Sequence, residues 1–276
     1  MVEANKSIWE KKGEEFKKPQ NGEVVGLNKV QFRNVNFVPF SQAAEKRGLK
    51  IGIWGGYSSG KTHFALTAPE PIYIIDTELG SVPLKDMFPN KEIYVIDVLG
   101  KDEVESFENV VNAIEKLEKI EKIGTLVIDS ISDIWSWAQV YCKVKVWKKA
   151  PEDRLNQQWD WGVINSHYNR IFRELIRKNC NVIATARESE VYISAGQPSG
   201  RYEPKWQKET GFLMDFVLNS RFEMPNYKIT IDKCRGIPKF EGKSFVNMDF
   251  SKFVEETKKA KELYMKLLIK PEVKNG

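Results

Sequence analysis

The chain has 276 residues, 41% of them hydrophobic and 29% charged, with a formal net charge of +5. That length buries a sizeable core, either as one α/β domain with extensions or as two small domains, and the composition excludes disorder throughout. The mild positive charge permits contact with a polyanion without requiring it.

Cys142, Cys180 and Cys234 lie far apart and form no C-x-x-C pair. This excludes a disulfide framework and a zinc site of the usual spacing, and it fits a reducing, intracellular, cytoplasmic setting. Residues 1–20 lack the apolar core of a secretion signal, and no later apolar run is long enough to cross a bilayer, so no membrane partner is expected.

In chain order, residues 1–48 are polar, with Lys11-Lys12, Lys17-Lys18 and the turn-like Pro19-Gln20-Asn21-Gly22. Only residues 30–32 and 37–40 could anchor them, so this stretch reads as an arm. A core begins at Leu49 and extends to about residue 240. Its apolar strands, at residues 49–54, 71–76, 92–97, 125–129 and 181–185, alternate with helical patterns at 102–119 and 164–178. Continuous apolar strands separated by helices indicate an α/β fold with a mainly parallel sheet flanked by helices. After Gly211 the pattern changes to short strands at 216–218 and 227–231 joined by Met224-Pro225-Asn226, an antiparallel extension. Residues 241–276 form a C-terminal extension whose stretch 251–270 has the spacing of an amphipathic helix.

The first strand runs into Gly55-Gly56-Tyr57-Ser58-Ser59-Gly60-Lys61-Thr62, followed by His63 and a helix-like stretch. Gly55, Gly60, Lys61 and Thr62 occupy the fixed positions of the phosphate-binding pattern G-x-x-x-x-G-K-[ST], in the strand-to-helix setting the pattern requires. Glycines let successive N–H groups turn inward as a nest for phosphate oxygens, and the helix that follows points its positive end at the same place. Lys61 is placed to bridge the outer phosphates of ATP, and the Thr62 hydroxyl to join a magnesium shell. His63 has no metal-spaced partner and reads as a helix residue.

Two carboxylates complete such a site. Asp129 ends an apolar strand, as a magnesium-positioning acid does, although an Asp there would also cap the helix that starts near Ile131. Glu78 lies just past the strand at 71–76, on the side of a parallel sheet where ligands bind. There it could deprotonate the water that attacks the γ-phosphate, or it could be a solvated loop acid.

Three stretches together resemble the RecA-like recombinase ATPases: the loop from Gly55 to Thr62, the segment Ile75-Asp76-Thr77-Glu78, and the strand Leu126-Val127-Ile128-Asp129-Ser130. The resemblance covers roughly residues 49–238. It implies a RecA-like P-loop NTPase core, with Lys61 and Glu78 catalytic and Asp129 the Walker B aspartate. Asp232-Lys233-Cys234-Arg235-Gly236 looks like the K-x-R element of that family, which implies that Lys233 and Arg235 reach a neighbouring subunit's ATP site in a homo-oligomeric ring or filament. The same two bases would also be unremarkable on an exposed edge strand. Within the superfamily, Ala68-Pro69 and Asp76-Thr77-Glu78 are similar to the short, phage-encoded annealing ATPases. One departure stands out: recombinases of this type carry glutamine at the end of the strand after Walker B, whereas this chain has Thr185-Ala186-Arg187. The coupling role of that glutamine therefore does not carry over.

Two further segments interleave cations with aromatic rings, the composition that suits single-stranded nucleic acid. The first, at 143–162, has Lys143, Lys145, Trp147, Lys148, Lys149, Arg154, Trp159 and Trp161; the second, at 187–210, has Arg201, Lys205, Trp206 and Lys208. Single-stranded DNA is the expected partner, with Arg201, Lys205, Trp206 and Lys208 as its contacts. A nucleotide-switched ATPase acting on a protein, closer to KaiC-like proteins, is the alternative, followed by a helicase or packaging motor.

Overall fold

The computed structural model describes residues 47–153, 158–194 and 196–268 together with Phe37 and Pro39, except for the side chains of 158, 159 and 266–268. The arm expected over 1–48 therefore lies almost wholly outside the described residues, as do Arg154 and the rings and chains expected at Trp159, Leu267 and Leu268. Among the described residues no helix is long and apolar enough to cross a membrane.

Nine strands occur: β1 (Lys50–Gly55), β2 (Ile72–Asp76), β3 (Ile93–Asp97), β4 (Thr125–Asp129), β5 (Asn181–Ser194), β6 (Gln197–Pro204), β7 (Phe216–Glu223), β8 (Asn226–Cys234) and β9 (Ser244–Val246). They are ordered β3-β2-β4-β5-β1-β7-β8-β9, and β6 pairs with β5 away from this path. The strands from β3 through β7 run parallel, while β8 and β9 are antiparallel. The α/β class, the mainly parallel sheet and the antiparallel extension all match the expectation from sequence.

The helices are α1 (Lys61–Leu66), α2 (Glu103–Glu118), α3 (Ile131–Tyr141), α4 (Gln158–Ile176), α5 (Thr210–Leu213) and α6 (Phe250–Leu268). Strand residues alternate between two buried layers. Trp54, Ile75, Leu126 and Val182 pack with Phe107, Trp137, Tyr168 and Phe172 of α2, α3 and α4. Ile53, Ile74, Val127 and Ile183 pack with Phe64 of α1 and Phe253 of α6. Burial on both faces is why these strands read as unbroken apolar runs. The C-terminal amphipathic helix closes the second layer, its Phe253 ring edge-on to Phe64 and Phe216 at 6.0 and 4.9 Å.

Parallel register sets the strand ends in a row. Gly55 pairs with Arg187 and Asp76 with Asp129, so a glycine, an arginine and two aspartates end at one edge of the sheet. The fifth core strand departs from expectation by continuing to Ser194 and folding back as β6. Val191-Tyr192-Ile193 supplies the β-branched and aromatic residues that favour a strand, and Gly196 supplies the left-handed turn at φ 81°. A hairpin thus stands where the sequence suggested a loop.

All three cysteines are buried and free. Burial pushes the Cys142 thiol from 9.0 up to about 12 and the Cys234 thiol to about 11. Above pH 9 the unfolded chain therefore sheds protons that the folded chain keeps, and stability falls as pH rises. A Cys142→Val, Cys234→Val variant should lose less denaturation midpoint than the parent between pH 9 and 11, and equal slopes would contradict this burial.

Candidate nucleotide site

The loop after β1 has the backbone that its glycines permit. A Cβ on Gly55 would meet the Ser220 carbonyl oxygen at 2.0 Å, so β7 approaches too closely for any side chain there. Gly60 sits at φ 86° as the residue before α1, a conformation costly for other residues, and a Cβ there would also meet the Tyr227 ring at 2.9 Å. Ser220 Oγ donates to the Ser59 carbonyl, fastening the loop to β7.

Lys61 folds back into the loop. Its Nζ donates to the carbonyls of Gly55 and Gly56 at 3.0 and 2.6 Å and to Ser59 Oγ at 3.2 Å. Burial lowers the Lys61 ammonium below its usual value, while Asp129, Glu188 and Glu78 pull it the other way. A partly desolvated cation held only by neutral oxygens is well placed to exchange them for phosphate. Tyr57 is almost fully exposed, and the His63 ring packs against Phe88 at 5.3 Å, off the loop itself.

Asp129 is the anchor on the other side. Its Oδ2 accepts from Thr62 Oγ1 at 2.7 Å, and its Oδ1 accepts from Thr185 Oγ1. Burial raises its carboxyl above the ordinary range, and the two hydroxyl donors oppose that rise. The carboxylate thus stands directly behind the hydroxyl that the sequence assigns to magnesium. Hard oxygen donors in this number fit Mg²⁺, which takes one or two protein groups and fills its octahedron with phosphate oxygens and water.

Glu78 is held at the same edge by its backbone. The buried Asp76 carboxylate accepts from the N–H groups of Glu78, Gly80 and Ser81 at 3.0, 3.3 and 3.1 Å. Thr77 bridges to the next strand, its N–H donating to the Asp129 carbonyl at 2.7 Å and its hydroxyl to Asp133 Oδ2 at 2.7 Å. The Glu78 side chain points to Arg187, whose Nη2 lies 2.6 Å from Oε1. Asp133 also takes Arg187, at 2.9 Å, and Ser130 Oγ at 2.9 Å. Sequence reasoning missed Asp133, because a lone acid in the first turn of a helix reads as dipole compensation.

Lys233 and Arg235 lie elsewhere. Cys234 pairs with Phe216 and Phe216 with Ile51, so the two bases sit at the opposite end of the sheet from Gly55. Lys233 Nζ donates to the carbonyls of Gly211, Phe212 and Met214 at 2.7, 3.3 and 2.9 Å, and Arg235 donates to Phe212 O. They close the C-terminal end of α5 in this single chain.

Of the residues expected to contact nucleic acid, Arg201, Lys205 and Lys208 are exposed on β6 and just after it. Trp206 is a different case. Its ring lies over Gly52, where a Cβ would meet it at 2.7 Å, and it packs on the core layer below α4. In the first segment, a helical turn (Cys142–Val146) prolongs α3, and Lys145 pairs with Glu108 at 2.9 Å. Trp135 stacks among Trp161 and Tyr168, and Trp137 is buried, as expected of packing residues.

A strand, a glycine-rich turn enclosing a lysine, and an acid at the end of a parallel strand one removed from it, across β5, together define a P-loop nucleotide-binding protein. The sequence matches the family described as AAA domain over residues 47–223, and the chain belongs to that family. Among solved structures it is similar to the RadB recombinase, at 14% identity over 72% of this chain and 86% of that one, with a TM-score of 0.45. A KaiC-like protein from the hyperthermophilic archaeon Pyrococcus horikoshii is similar at 16% identity over 72% and 85%, with a TM-score of 0.40. No curated protein matches the chain.

The hub at Asp133 carries a testable consequence. Asp133→Ala leaves Thr77 Oγ1, Ser130 Oγ and Arg187 without their shared acceptor and should destabilise the fold by about 2–3 kcal/mol. Urea denaturation checks this, and an unchanged midpoint would contradict the role given to Asp133.

Proposed function

We propose that the protein is a magnesium-dependent ATPase of RecA type. The observation that carries this reading is the bond between Thr62 and Asp129, 67 residues apart in sequence, beside a lysine already enclosed by the loop. Lys61 would hold the outer phosphates, and Thr62 with Asp129 would hold a magnesium ion, which when bound would supply positive charge against the phosphate oxygens. Glu78 takes the proton of the water whose oxygen bonds to the γ-phosphorus, while the bond to the bridging oxygen breaks and ADP leaves.

Lys233 and Arg235 cannot serve their own loop from the far end of the sheet. Any phosphate they meet belongs to another copy, which supports a head-to-tail oligomer, ring or filament, with each site completed across an interface. On assembly they would leave the carbonyls of α5.

Single-stranded DNA is the partner this reading favours, in recombination, annealing or repair, and Ala68-Pro69 with Asp76-Thr77-Glu78 supports a likeness to the phage-encoded annealing ATPases. Arg201 and Lys205 supply exposed cations on the hairpin that leaves the nucleotide end of the sheet, Lys208 follows as a third exposed cation, and Trp206 supports them from the core. A second reading, a KaiC-like ATPase acting on protein, is favoured by the hairpin itself. Residues 188–204 carry Glu188, Glu190 and Glu203 against Arg201 alone, and Tyr192, Ile193 and Tyr202 are exposed.

Glu78→Gln should bind ATP normally and turn it over at least about a hundredfold more slowly, the usual weight of a general base. Retained hydrolysis removes Glu78 from the mechanism. Lys205→Ala with Lys208→Ala should weaken oligo-dT binding in an anisotropy titration and flatten its salt dependence. Parent protein that ignores oligo-dT, with and without ATP, would favour the protein-partner reading.

A further inference from the structure

Arg187 occupies a junction. It is the last residue of β5 paired to the sheet, opposite Gly55, and the next residue, Glu188, is the first paired to β6, opposite Pro204. Its carbonyl accepts from Lys205 N–H at 2.8 Å and its N–H donates to Ser132 Oγ at 2.9 Å. The guanidinium reaches back over the site, where Nη2 alone makes the contacts to both Glu78 and Asp133.

The two carboxylates differ. Asp133 is mostly buried, at 13% side-chain exposure, and is held by two hydroxyls besides Arg187. Glu78 is half-exposed, at 48%, and among the described residues Arg187 is the partner of its side chain. Asp133 therefore fixes the arginine, and the arginine fixes Glu78. A carboxylate oxygen that accepts a short, charge-assisted bond from arginine is committed to that partner and not to a water it would deprotonate.

We propose that Arg187 is an autoinhibitory positioning residue: anchored by Asp133, it withholds Glu78 from the attacking water until the β5–β6 hairpin shifts. The hairpin begins at the very next residue and, among the described residues, β6 pairs only with β5, so a partner that tilts the hairpin moves Arg187 directly. Turnover is then low in the lone protein and rises when the hairpin is engaged.

This inference rests on Glu78 being the base, and the test separates the two. In steady-state turnover at saturating Mg-ATP, without nucleic acid, Arg187→Ala and Arg187→Gln should run about two- to fivefold faster than the parent, the factor that a half-exposed ion pair is worth. A side chain needed only for structure, or only for the reaction, would make these variants slower. Rates equal to or below the parent's, in protein that still binds ATP, overturn the proposal. Adding Glu78→Gln to Arg187→Gln should abolish the gain; if fast turnover survives, the assignment of Glu78 as base is what fails. The parent supplies an independent readout should the variants fold poorly. Its turnover at saturating ATP should climb with added salt, which screens the Glu78 pair more than the buried Asp133 contact, and a rate that does not climb contradicts the latch.

Discussion

Withdrawing a carboxylate from water is costly unless hydrogen-bond donors replace the water, and Asp129, half-buried at the end of β4, is such a group. Its carboxylate takes donors from two separate parts of the chain, Thr62 at the head of α1 and Thr185 on β5, while its main-chain carbonyl accepts from Thr77 after β2. The bonds that make the charge tolerable therefore also fix the phosphate loop against the strand of Arg187, and the backbone bond of the same residue adds the loop of Glu78. One residue thus ties together the three segments that carry the candidate site.

The two ends of the sheet divide the labour. The phosphate loop, Asp129, Glu78 and Arg187 gather where the parallel strands finish, because parallel register brings those ends level. The other end is a rigid electrostatic knot. Lys50 Nζ reaches the carbonyls of Lys178 and Cys180, both at 2.7 Å, and burial lowers it to about 8, while Asp215 takes Arg47 at 2.7 Å and the Lys50 N–H at 3.0 Å. Lys233 and Arg235 are mounted beside this knot. A basic pair on a stiff base at one end and an anion cradle at the other is the polarity that head-to-tail stacking requires.

What the sequence made legible had a local cause. Four fixed positions after an apolar strand identify the phosphate loop, because the nest, the turn and the helix start all need those residue types within a few residues. Glu78 and Asp129 were visible as acids at strand ends for the same reason. The parts that escaped depend on distant packing. Arg187 meets Glu78 across 109 residues and Asp133 across 54, and no spacing rule links such positions. Trp206 has the setting of a stacking ring until Gly52, on a strand far away in sequence, is seen to leave room for it. The hairpin has a strand signal only in Val191-Tyr192-Ile193, and its polar residues and Gly196 match a loop equally well.

The central claim is that main-chain amides after β1 grip a triphosphate, with Lys61 inside the loop and Thr62 and Asp129 behind it. Calorimetric titration of the purified chain with ATP and magnesium measures this most directly. The account predicts saturable binding of one nucleotide per chain that is lost when Lys61 is replaced by Ala. Failure of the parent protein to take up ATP at millimolar concentrations with magnesium supplied would contradict it.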